Sequence, residues 1–328
     1  MSERARVLVT RRIPRAGMDI LEKEYGTVDV GAEDRGLERD ELLGLAAGRE
    51  GVLCLLGDAI DAGFFDAAGE SLKVVANYAV GYNNIDVDEA TKRSVVVSNT
   101  PGVLTDTTAD LAWTLIMSAC RRVHEGDALV RAGEWPGWAP MQLLGVDVHG
   151  ATLGIIGAGR IGSAVARRGT GFGMKVLYAD ERDNPELESE LGAKRVELAE
   201  LLGEADIISV HVPLVPATKG LIGREELAAM KPTAVLVNTS RGPVIDEAAL
   251  VEALRDGKIF AAGLDVYENE PALAPGLADL PNVVLLPHLG SGSLATRSKM
   301  AELAASAVVT VLSGGCPPNA VNPEVCGK

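Results

Sequence analysis

Three ionisable side chains follow short apolar runs in the carboxyl-terminal half of this 328-residue sequence. Arg241 follows AVLVN, Glu270 follows GLDVY, and His288 follows VVLLP. Apolar runs of this length are typical of buried strands in a parallel sheet. The carboxyl ends of such strands meet at one edge, where ligands bind. We therefore expect the guanidinium, the carboxylate and the imidazole to converge on one crevice.

These three groups together suit one type of reaction, the reduction of a small anionic 2-keto acid. Arginine binds carboxylates with a rigid, permanently charged fork. Histidine is the most frequent general acid near neutral pH, and a neighbouring carboxylate stabilises its charged form. The residues alone leave open the alternative that His288 is only a packing or capping histidine.

The other three histidines have different surroundings. His211 lies in SVHVP at the end of an apolar run, so we expect it to line a ligand crevice at the sheet edge. His124, in the charged stretch RRVHEGD, is predicted to face solvent, and His149 is predicted to lie in a turn.

A glycine-rich motif predicts a dinucleotide site. Gly157, Ala158, Gly159, Arg160, Ile161 and Gly162 spell GxGxxG between the apolar run TLGII and a helical stretch. The first glycine permits a tight turn, the second lets the backbone approach a pyrophosphate, and the third allows close helix–strand packing. The amino end of the helix then offers free N–H groups to the phosphates.

An acidic residue indicates which dinucleotide binds. Asp180 ends the run KVLYAD, 18 residues beyond Gly162. A carboxylate there can accept hydrogen bonds from the adenosine ribose and repels a 2′-phosphate, and Glu181 adds to that repulsion. The sequence therefore favours NAD over NADP. Arg182 is the counter-indication, because it could contact a phosphate if its side chain turned inward.

Apolar runs alternate with helical stretches along the whole chain, which predicts an α/β fold with parallel sheets. The first region has four such runs: Val7–Thr10, Val52–Leu56, Leu72–Ala76 and Val95–Ser98. After a helix near Asp106–Arg122, the second region has six: Thr152–Ile156, Lys175–Ala179, Ile207–Val212, Ala234–Asn238, Gly263–Val266 and Val283–Leu286. A late helix, Leu294–Leu312, could return to the first region, which would make the second domain an insertion.

Composition excludes several classes of protein. The net charge is −15 and only 12 residues are aromatic, so a nucleic-acid-binding or membrane-binding surface is not expected. No signal peptide or membrane-length apolar segment is evident, and we expect a cytoplasmic protein. The four cysteines, Cys54, Cys120, Cys316 and Cys326, form no metal-binding pattern and are predicted to be free thiols.

Six segments of the chain resemble the D-isomer-specific 2-hydroxyacid dehydrogenase family, and in particular its glyoxylate/hydroxypyruvate reductase branch. The resemblance extends from about Val7 to Asn322 and is carried by long motifs in the same order. These motifs are VGYNNIDVDEA, TPGVLTDTTADLAW, GIIGAGRIG, NTSRGPVIDEAAL, GLDVYENEP and PHLGS.

The resemblance implies two doubly wound parallel-sheet domains. A Rossmann NAD domain (103–289) would be inserted into a smaller flavodoxin-like substrate domain (1–102 and 290–328). Arg241 resembles the family's substrate-binding arginine, Glu270 the partner of the catalytic histidine, and His288 the proton donor. The amides of Val80 and Gly81 resemble a site for the substrate carboxylate.

The resemblance also implies cofactor-binding positions outside the glycine-rich motif. They are Thr108, Asp180, His211, Thr239, Ser240, Asp265 and Gly290. Trp138 falls where related reductases send a tryptophan into the partner subunit's active site, and packing within a dimerisation arm is the alternative. A homodimer is therefore expected, and no metal is implied.

The sequence thus predicts NADH-dependent reduction of glyoxylate or hydroxypyruvate to the D-2-hydroxy acid. Two alternatives remain open: a dehydrogenase for another small anion, such as a different 2-keto acid or phosphite, and a dinucleotide-sensing interaction protein similar to the corepressors of this fold.

Overall fold

The computed structural model describes residues 5–327, and the chain divides into two compact units. One unit contains the chain up to Leu104 and again from Gly292 onward, and the other is Thr105–Ser291. The second unit is thus inserted into the sequence of the first.

The first unit is built on a five-stranded sheet in which every pair of neighbours is parallel. The order β2-β1-β3-β4-β5 is that of flavodoxin-like folds, which confirms the predicted architecture. The strands are β1 Val7–Arg11, β2 Asp29–Ala32, β3 Gly51–Cys54, β4 Val74–Asn77 and β5 Val96–Ser98.

Helices cover both faces of this sheet and enclose two apolar cores. Helix α12 (Leu294–Leu312) packs beside the first helix of the chain, where a Cβ at Gly17 would lie 2.7 Å from the Ala301 carbonyl oxygen. Only glycine permits this close approach. The other helices are α1 Arg15–Tyr25, α2 Arg39–Ala46, α3 Ala62–Ala68 and α4 Val87–Lys92.

The second unit contains a seven-stranded parallel sheet in the order β12-β11-β10-β9-β6-β7-β8. Renumbered from its own first strand, the order is 3-2-1-4-5-6 with one added edge strand, as in a Rossmann fold. The strands are β6 Thr152–Ile156, β7 Lys175–Ala179, β8 Lys194–Arg195, β9 Ile207–Val210, β10 Val235–Asn238, β11 Ala261–Leu264 and β12 Val283–Leu285.

Seven helices accompany this sheet within the described residues, and apolar cores lie on both of its faces. Trp113 anchors one core, because its indole N–H donates to the Val165 carbonyl at 3.0 Å and its ring stacks on Phe172. The helices are α5 Thr105–Cys120, α6 Val123–Arg131, α7 Arg160–Gly169, α8 Pro185–Leu191, α9 Leu198–Glu204, α10 Arg224–Ala229 and α11 Glu247–Arg255.

Two strands have no counterpart among the sequence-based predictions. Both β2 and β8 lie at a sheet edge, and their side chains are exposed or half-buried. A strand without a buried face needs no apolar run, so the criterion that found the other strands does not detect it.

The prediction of four free thiols is wrong for one pair. Cys316 and Cys326 form a disulfide with their Cα atoms 5.3 Å apart, whereas Cys54 and Cys120 are buried free thiols. The pair forms because the segment after α12 turns back along β5, where the Val321 amide donates to the Val97 carbonyl at 2.7 Å.

The segment closed by this disulfide is joined firmly to the first sheet. Asn322 is buried, and its side-chain oxygen accepts from the Val97 amide at 2.7 Å. Its side-chain nitrogen donates to the Val95 carbonyl at 3.0 Å. No helix within residues 5–327 has the length and apolar character needed to cross a membrane.

Candidate active site

The glycine-rich turn connects β6 to α7 as predicted. Gly157 has φ +94°, and a Cβ there would lie 2.8 Å from the backbone of His211. A Cβ at Gly162 would lie 2.0 Å from the Gly157 carbonyl oxygen. At Gly159 the corresponding space is open. Two glycines are therefore required by packing, and the third leaves room beside the amino end of α7.

Asp180 holds this turn in place from the end of β7. One carboxylate oxygen accepts from the Ala158 amide at 2.7 Å, and the other from the Arg182 amide at 3.1 Å. The Asn184 side chain donates to the Ala158 carbonyl at 2.9 Å. Arg182 is exposed. The loop after β7 therefore fixes the glycine-rich turn through the predicted acidic residue.

The features around this turn fit a bound dinucleotide. The Thr239 hydroxyl, at the end of β10, is buried and has no hydrogen-bond partner among the described residues. A buried hydroxyl without a partner is costly, and a polar ligand would satisfy it. The amino end of α7 supplies free amides, and Asp180 remains half-buried beside them.

His211 follows β9 as predicted and is held as a neutral ring. Its Nε2 atom lies 2.8 Å from the Ser209 hydroxyl. Burial lowers the pKa of His211 to about 3, since the charged imidazolium would lose its hydration. The residue is therefore uncharged at neutral pH.

The two remaining histidines differ in their fit to prediction. His149 is exposed in a turn, as expected. The prediction that His124 faces solvent is wrong in part: its ring is half-buried, and Nε2 lies 2.7 Å from the Pro281 carbonyl oxygen. The bond forms because α6 runs beside the segment that precedes β12.

Arg241 lies in a tight turn directly after β10. Asn238 organises this turn: its side-chain oxygen accepts from the Ser240 amide at 2.9 Å, and its nitrogen donates to the Arg241 carbonyl at 3.0 Å. Asn238 was not among the predicted site residues, although a polar residue ending the run AVLVN is a usable signal. Burial lowers the pKa of the Arg241 guanidinium, and the charge of Glu270 opposes this shift.

Glu270 and His288 form a hydrogen-bonded pair. The Nδ1 atom of His288 lies 2.9 Å from Glu270 Oε2, and the Tyr267 amide donates to Glu270 Oε1 at 3.1 Å. The side chains remain accessible, with exposed fractions of 32% for His288 and 36% for Glu270. An accessible imidazole bonded to a carboxylate is equipped to exchange a proton.

The charge of Glu270 is set by opposing effects. Burial would raise the pKa of Glu270, but the hydrogen bond and charge of His288 lower it. The Tyr267 amide and the charge of Arg241 act in the same direction, so the pKa of Glu270 lies below its ordinary value. Glu270 is therefore ionised at neutral pH and stabilises a positive charge on His288.

Asp265 holds the turn that carries His288. Its backbone carbonyl accepts from the His288 amide at 3.0 Å, and its carboxylate accepts from the Leu289 amide at 2.6 Å and the Gly290 amide at 2.8 Å. Burial raises the pKa of Asp265, while the two amides and the charge of His288 oppose the rise. His288 itself has φ +55°, a conformation uncommon for a residue with a side chain.

The structure brings another predicted cofactor residue to this turn. Thr108, on α5, is buried, and a Cβ added at Gly290 would lie 3.5 Å from its side chain. Thr108, Asp265 and Gly290 therefore belong to one cluster within the second unit.

Val80 and Gly81 belong to the first unit, in the loop after β4. Their carbonyls accept from the Asn99 and Asn77 side chains, each at 2.8 Å. Their amides donate to no backbone carbonyl among the described residues. The loop is thus held through its carbonyls.

No group of three potential metal ligands of the kinds His, Cys, Asp and Glu is found within residues 5–327.

Comparison with known proteins identifies the family of this chain. Residues 113–290 match the family model described as D-isomer specific 2-hydroxyacid dehydrogenase, NAD binding domain. The glyoxylate reductase of Korarchaeum cryptofilum is 50% identical over 323 residues, which cover 98% of this chain and 96% of that protein.

Solved structures show the same similarity. The TT0316 protein from Thermus thermophilus has a TM-score of 0.90 at 46% identity and covers 96% of this chain and 99% of its own. An NADPH-dependent glyoxylate/hydroxypyruvate reductase from Sinorhizobium meliloti, solved with NADP and malonate, has a TM-score of 0.85 at 33% identity, with 99% of both chains covered. The chain therefore belongs to the D-isomer specific 2-hydroxyacid dehydrogenase family, and it is an oxidoreductase whose second unit is the family's NAD-binding domain.

Proposed function

We propose that this protein reduces glyoxylate or hydroxypyruvate to the corresponding D-2-hydroxy acid, with NADH as the reductant and His288 as the proton donor. The observation that carries the proposal is the 2.9 Å contact between His288 Nδ1 and Glu270 Oε2. By contrast, the exposed pair His149 and Asp147 is separated by 4.0 Å. The similarity to glyoxylate reductases supports this choice of substrate.

The chain's own residues have distinct tasks in this reaction. Arg241 binds the substrate carboxylate and polarises the keto oxygen, which orients the carbonyl carbon. When bound, the reduced nicotinamide supplies the hydride that this carbon accepts. His288 donates its proton to the keto oxygen, so the product carries a hydroxyl group. Glu270 stabilises the imidazolium before that transfer.

Backbone amides of the first unit are proposed to bind a carboxylate. The amides of Val80 and Gly81 are suited to the substrate carboxylate, since two successive N–H groups form a small anion-binding nest. Their carbonyls are already engaged by Asn99 and Asn77, which keeps the amides in a defined direction.

The proposed cofactor site uses the glycine-rich turn and the strand ends of the second unit. The amides of this turn bind the pyrophosphate, and Thr108 and Asp265 lie at the nicotinamide end. Each Asp265 carboxylate oxygen accepts one amide and keeps a second lone pair for the nicotinamide carboxamide. The residues assigned to the cofactor are Thr108, Gly157, Ala158, Gly159, Arg160, Ile161, Asp180, His211, Thr239, Ser240, Asp265 and Gly290.

NADH is proposed over NADPH because Asp180 and Glu181 follow β7, where a 2′-phosphate would lie. Asp180→Ala should lower kcat/KM with NADH by about 10- to 100-fold, as expected for hydrogen bonds to a charged group, and narrow the gap to NADPH. Asp147→Ala, at an exposed aspartate of the same unit, is the matched control. A wild-type preference for NADPH, the cofactor named for the Sinorhizobium meliloti reductase, would refute the assignment.

A homodimer is proposed from the surface around α6. Large apolar side chains are exposed there, including Trp138, of which 83% is accessible. Exposed apolar surface of this extent is typical of a protein–protein interface. The exposed residues are Val123, Val130, Trp135, Trp138, Met141 and Leu144. Sedimentation equilibrium should give twice the chain mass, and Trp138→Ser with Met141→Ser should shift the protein toward monomer.

The proposed activity is tested by following NADH absorbance with purified protein. Glyoxylate and hydroxypyruvate should be consumed faster than pyruvate or a branched 2-keto acid, and the hydroxypyruvate product should be D-glycerate. Consumption only in the presence of another 2-keto acid, or reduction of NAD by phosphite, would reassign the substrate. NADH binding without turnover of any of these compounds would favour the dinucleotide-sensing alternative.

A further inference from the structure

Glu247 is a buried acidic residue that the proposed mechanism does not use. It is the first residue of α11, and only 3% of it is exposed. Its carboxylate forms no salt bridge with any residue in the described part of the chain. Burying a carboxylate without a cation is costly, so its hydrogen bonds must explain its position.

The hydrogen bonds of Glu247 do not serve its own helix. Asp246 caps α11, since its side chain accepts from the Ala249 amide at 2.9 Å. Glu247 instead accepts from two amides of a different loop: Oε1 from Glu268 at 2.5 Å and Oε2 from Ala274 at 3.2 Å. A capping role therefore does not account for Glu247.

The loop held by Glu247 is the one that carries Glu270. Glu268 and Ala274 lie on either side of Glu270. The two oxygens of the Glu247 carboxylate therefore bind both ends of the 268–274 loop. Within it, the Ala272 amide donates to the Asn269 carbonyl at 2.9 Å. The position of Glu270 is thus defined by a closed loop anchored on Glu247.

The same anchor point touches the turn that carries Arg241. A Cβ at Gly242 would lie 1.8 Å from the Tyr267 carbonyl carbon and 2.4 Å from the Glu268 nitrogen. The backbone of the Arg241 turn therefore contacts the backbone that Glu247 holds. The Tyr267 hydroxyl donates to the Leu286 carbonyl at 2.8 Å, two residues before His288. The segments that follow β10, β11 and β12 therefore meet around Tyr267.

The pKa of Glu247 lies above its ordinary value, and the two loop amides oppose this rise. Burial raises the pKa of Glu247, the Glu268 and Ala274 amides lower it, and the charges of Glu268 and Glu270 raise it further. The two amides are the groups that favour the ionised carboxylate in this position.

We propose that Glu247 is a positioning residue, which holds the 268–274 loop so that Glu270 stays in hydrogen-bond contact with His288. This inference rests on the proposed function, because it assumes that the Glu270–His288 pair carries the proton. Asp265 serves the His288 turn in a similar way, through two backbone amides.

The test is Glu247→Gln in the full-length protein, assayed with glyoxylate and NADH. A glutamine side chain has one oxygen and one NH₂ group, and the NH₂ group cannot accept, so one loop amide loses its partner. We expect kcat for reduction to fall by about 10- to 100-fold, the size of effect that a displacement near 1 Å causes, while the Kd for NADH stays unchanged.

A solvent isotope effect gives a readout that a purely structural role would not move. If Glu270 no longer contacts His288, transfer of the proton to the keto oxygen becomes slower relative to the other steps. The solvent deuterium isotope effect on kcat should therefore increase in Glu247→Gln. Partial unfolding would lower kcat and leave the isotope effect unchanged.

Two further variants keep the test decisive. Glu252→Gln makes the same substitution on α11 at an accessible residue paired with Arg224, and it should leave kcat and the isotope effect unchanged. Glu247→Asp keeps both oxygens on a shorter side chain, and its kcat should lie between those of wild type and Glu247→Gln. The same comparison with wild type can be made on Glu247→Asp if Glu247→Gln does not fold.

Glu270→Gln, measured in parallel, separates the two hypotheses. Lost turnover in Glu270→Gln, with wild-type kcat and isotope effect in both Glu247 variants, would overturn the positioning role and leave the proposed function intact. Wild-type turnover in Glu270→Gln would overturn the proposed function itself.

Discussion

The two units carry polar side chains at the same structural position, the carboxyl ends of parallel strands, but the polar groups differ in accessibility. In the first unit, Asp58 and Asn77 are buried and form hydrogen bonds within their own unit. Asp58 is 5% exposed, and one of its oxygens accepts from the Thr10 hydroxyl at 2.5 Å and the Leu55 amide at 2.7 Å. Asn77 is fully buried and donates to the Gly81 carbonyl. Asp58 and Asn77 therefore hold loops.

In the second unit, holding and chemistry are assigned to different residues. Asn238 and Asp265 are buried and hold the turns, whereas Glu270 and His288 remain about one-third exposed. The ionisable pair is therefore fixed in place without losing access to a substrate. The carboxyl ends of parallel strands thus provide positions for reactive side chains. Their buried neighbours decide whether a side chain there is accessible enough to react.

Substitution of His288 should lower activity most strongly. His288→Ala should lower kcat for reduction by about 10²- to 10⁴-fold, because it removes the proposed general acid, while Tm and NADH binding change little. The loss of kcat is measured by following NADH oxidation in stopped-flow and steady-state assays. His149→Ala, at an exposed histidine, is the matched control. Turnover near the wild-type value would show that the second unit's accessible pair does not carry the proton.

The disulfide tests whether the first unit contributes stability rather than chemistry. Replacing Cys316 and Cys326 by serine should lower the free energy of unfolding by about 3 kcal/mol, as expected for the release of a loop of this length, with kcat unchanged. Urea unfolding followed by circular dichroism measures the loss. Adding a thiol reductant should destabilise the wild-type protein and leave the double variant unaffected. Equal stability of both proteins in oxidising buffer would contradict the expectation.

Substitution of Asp58 should lower stability modestly, because this buried carboxylate holds a loop of the first unit. Asp58→Ala leaves the Thr10 hydroxyl and the Leu55 amide without a partner, which should reduce the free energy of unfolding by about 1–3 kcal/mol. The folded variant should retain its kcat. Asp66→Ala removes an exposed carboxylate paired with Arg93 and should change stability by less than about 1 kcal/mol. A large loss of kcat at full stability in Asp58→Ala would give the first unit a chemical role that its buried groups do not suggest.

Much of the fold was predictable because burial leaves a local pattern. Strands with two buried faces, such as β3 (burial unbroken along Gly51–Cys54), are mostly apolar and are visible as runs. The edge strands β2 and β8 have no such requirement and were missed. The disulfide was missed because it depends on the path of the chain after α12, which no local pattern records.

The candidate site shows the same difference between features marked by a local sequence pattern and features that depend on the path of the chain. The residue order alone is enough to locate the glycine-rich turn, the acidic residue after β7 and the three ionisable residues after β10, β11 and β12, since each lies next to a buried strand. The partners of those residues come from elsewhere in the chain: Glu270 with His288, 18 positions apart, Asp265 with Gly290, 25 apart, and Glu247 with Ala274, 27 apart. A hydrogen bond requires atoms about 3 Å apart, and only the packed sheet and helices bring such distant segments to that distance.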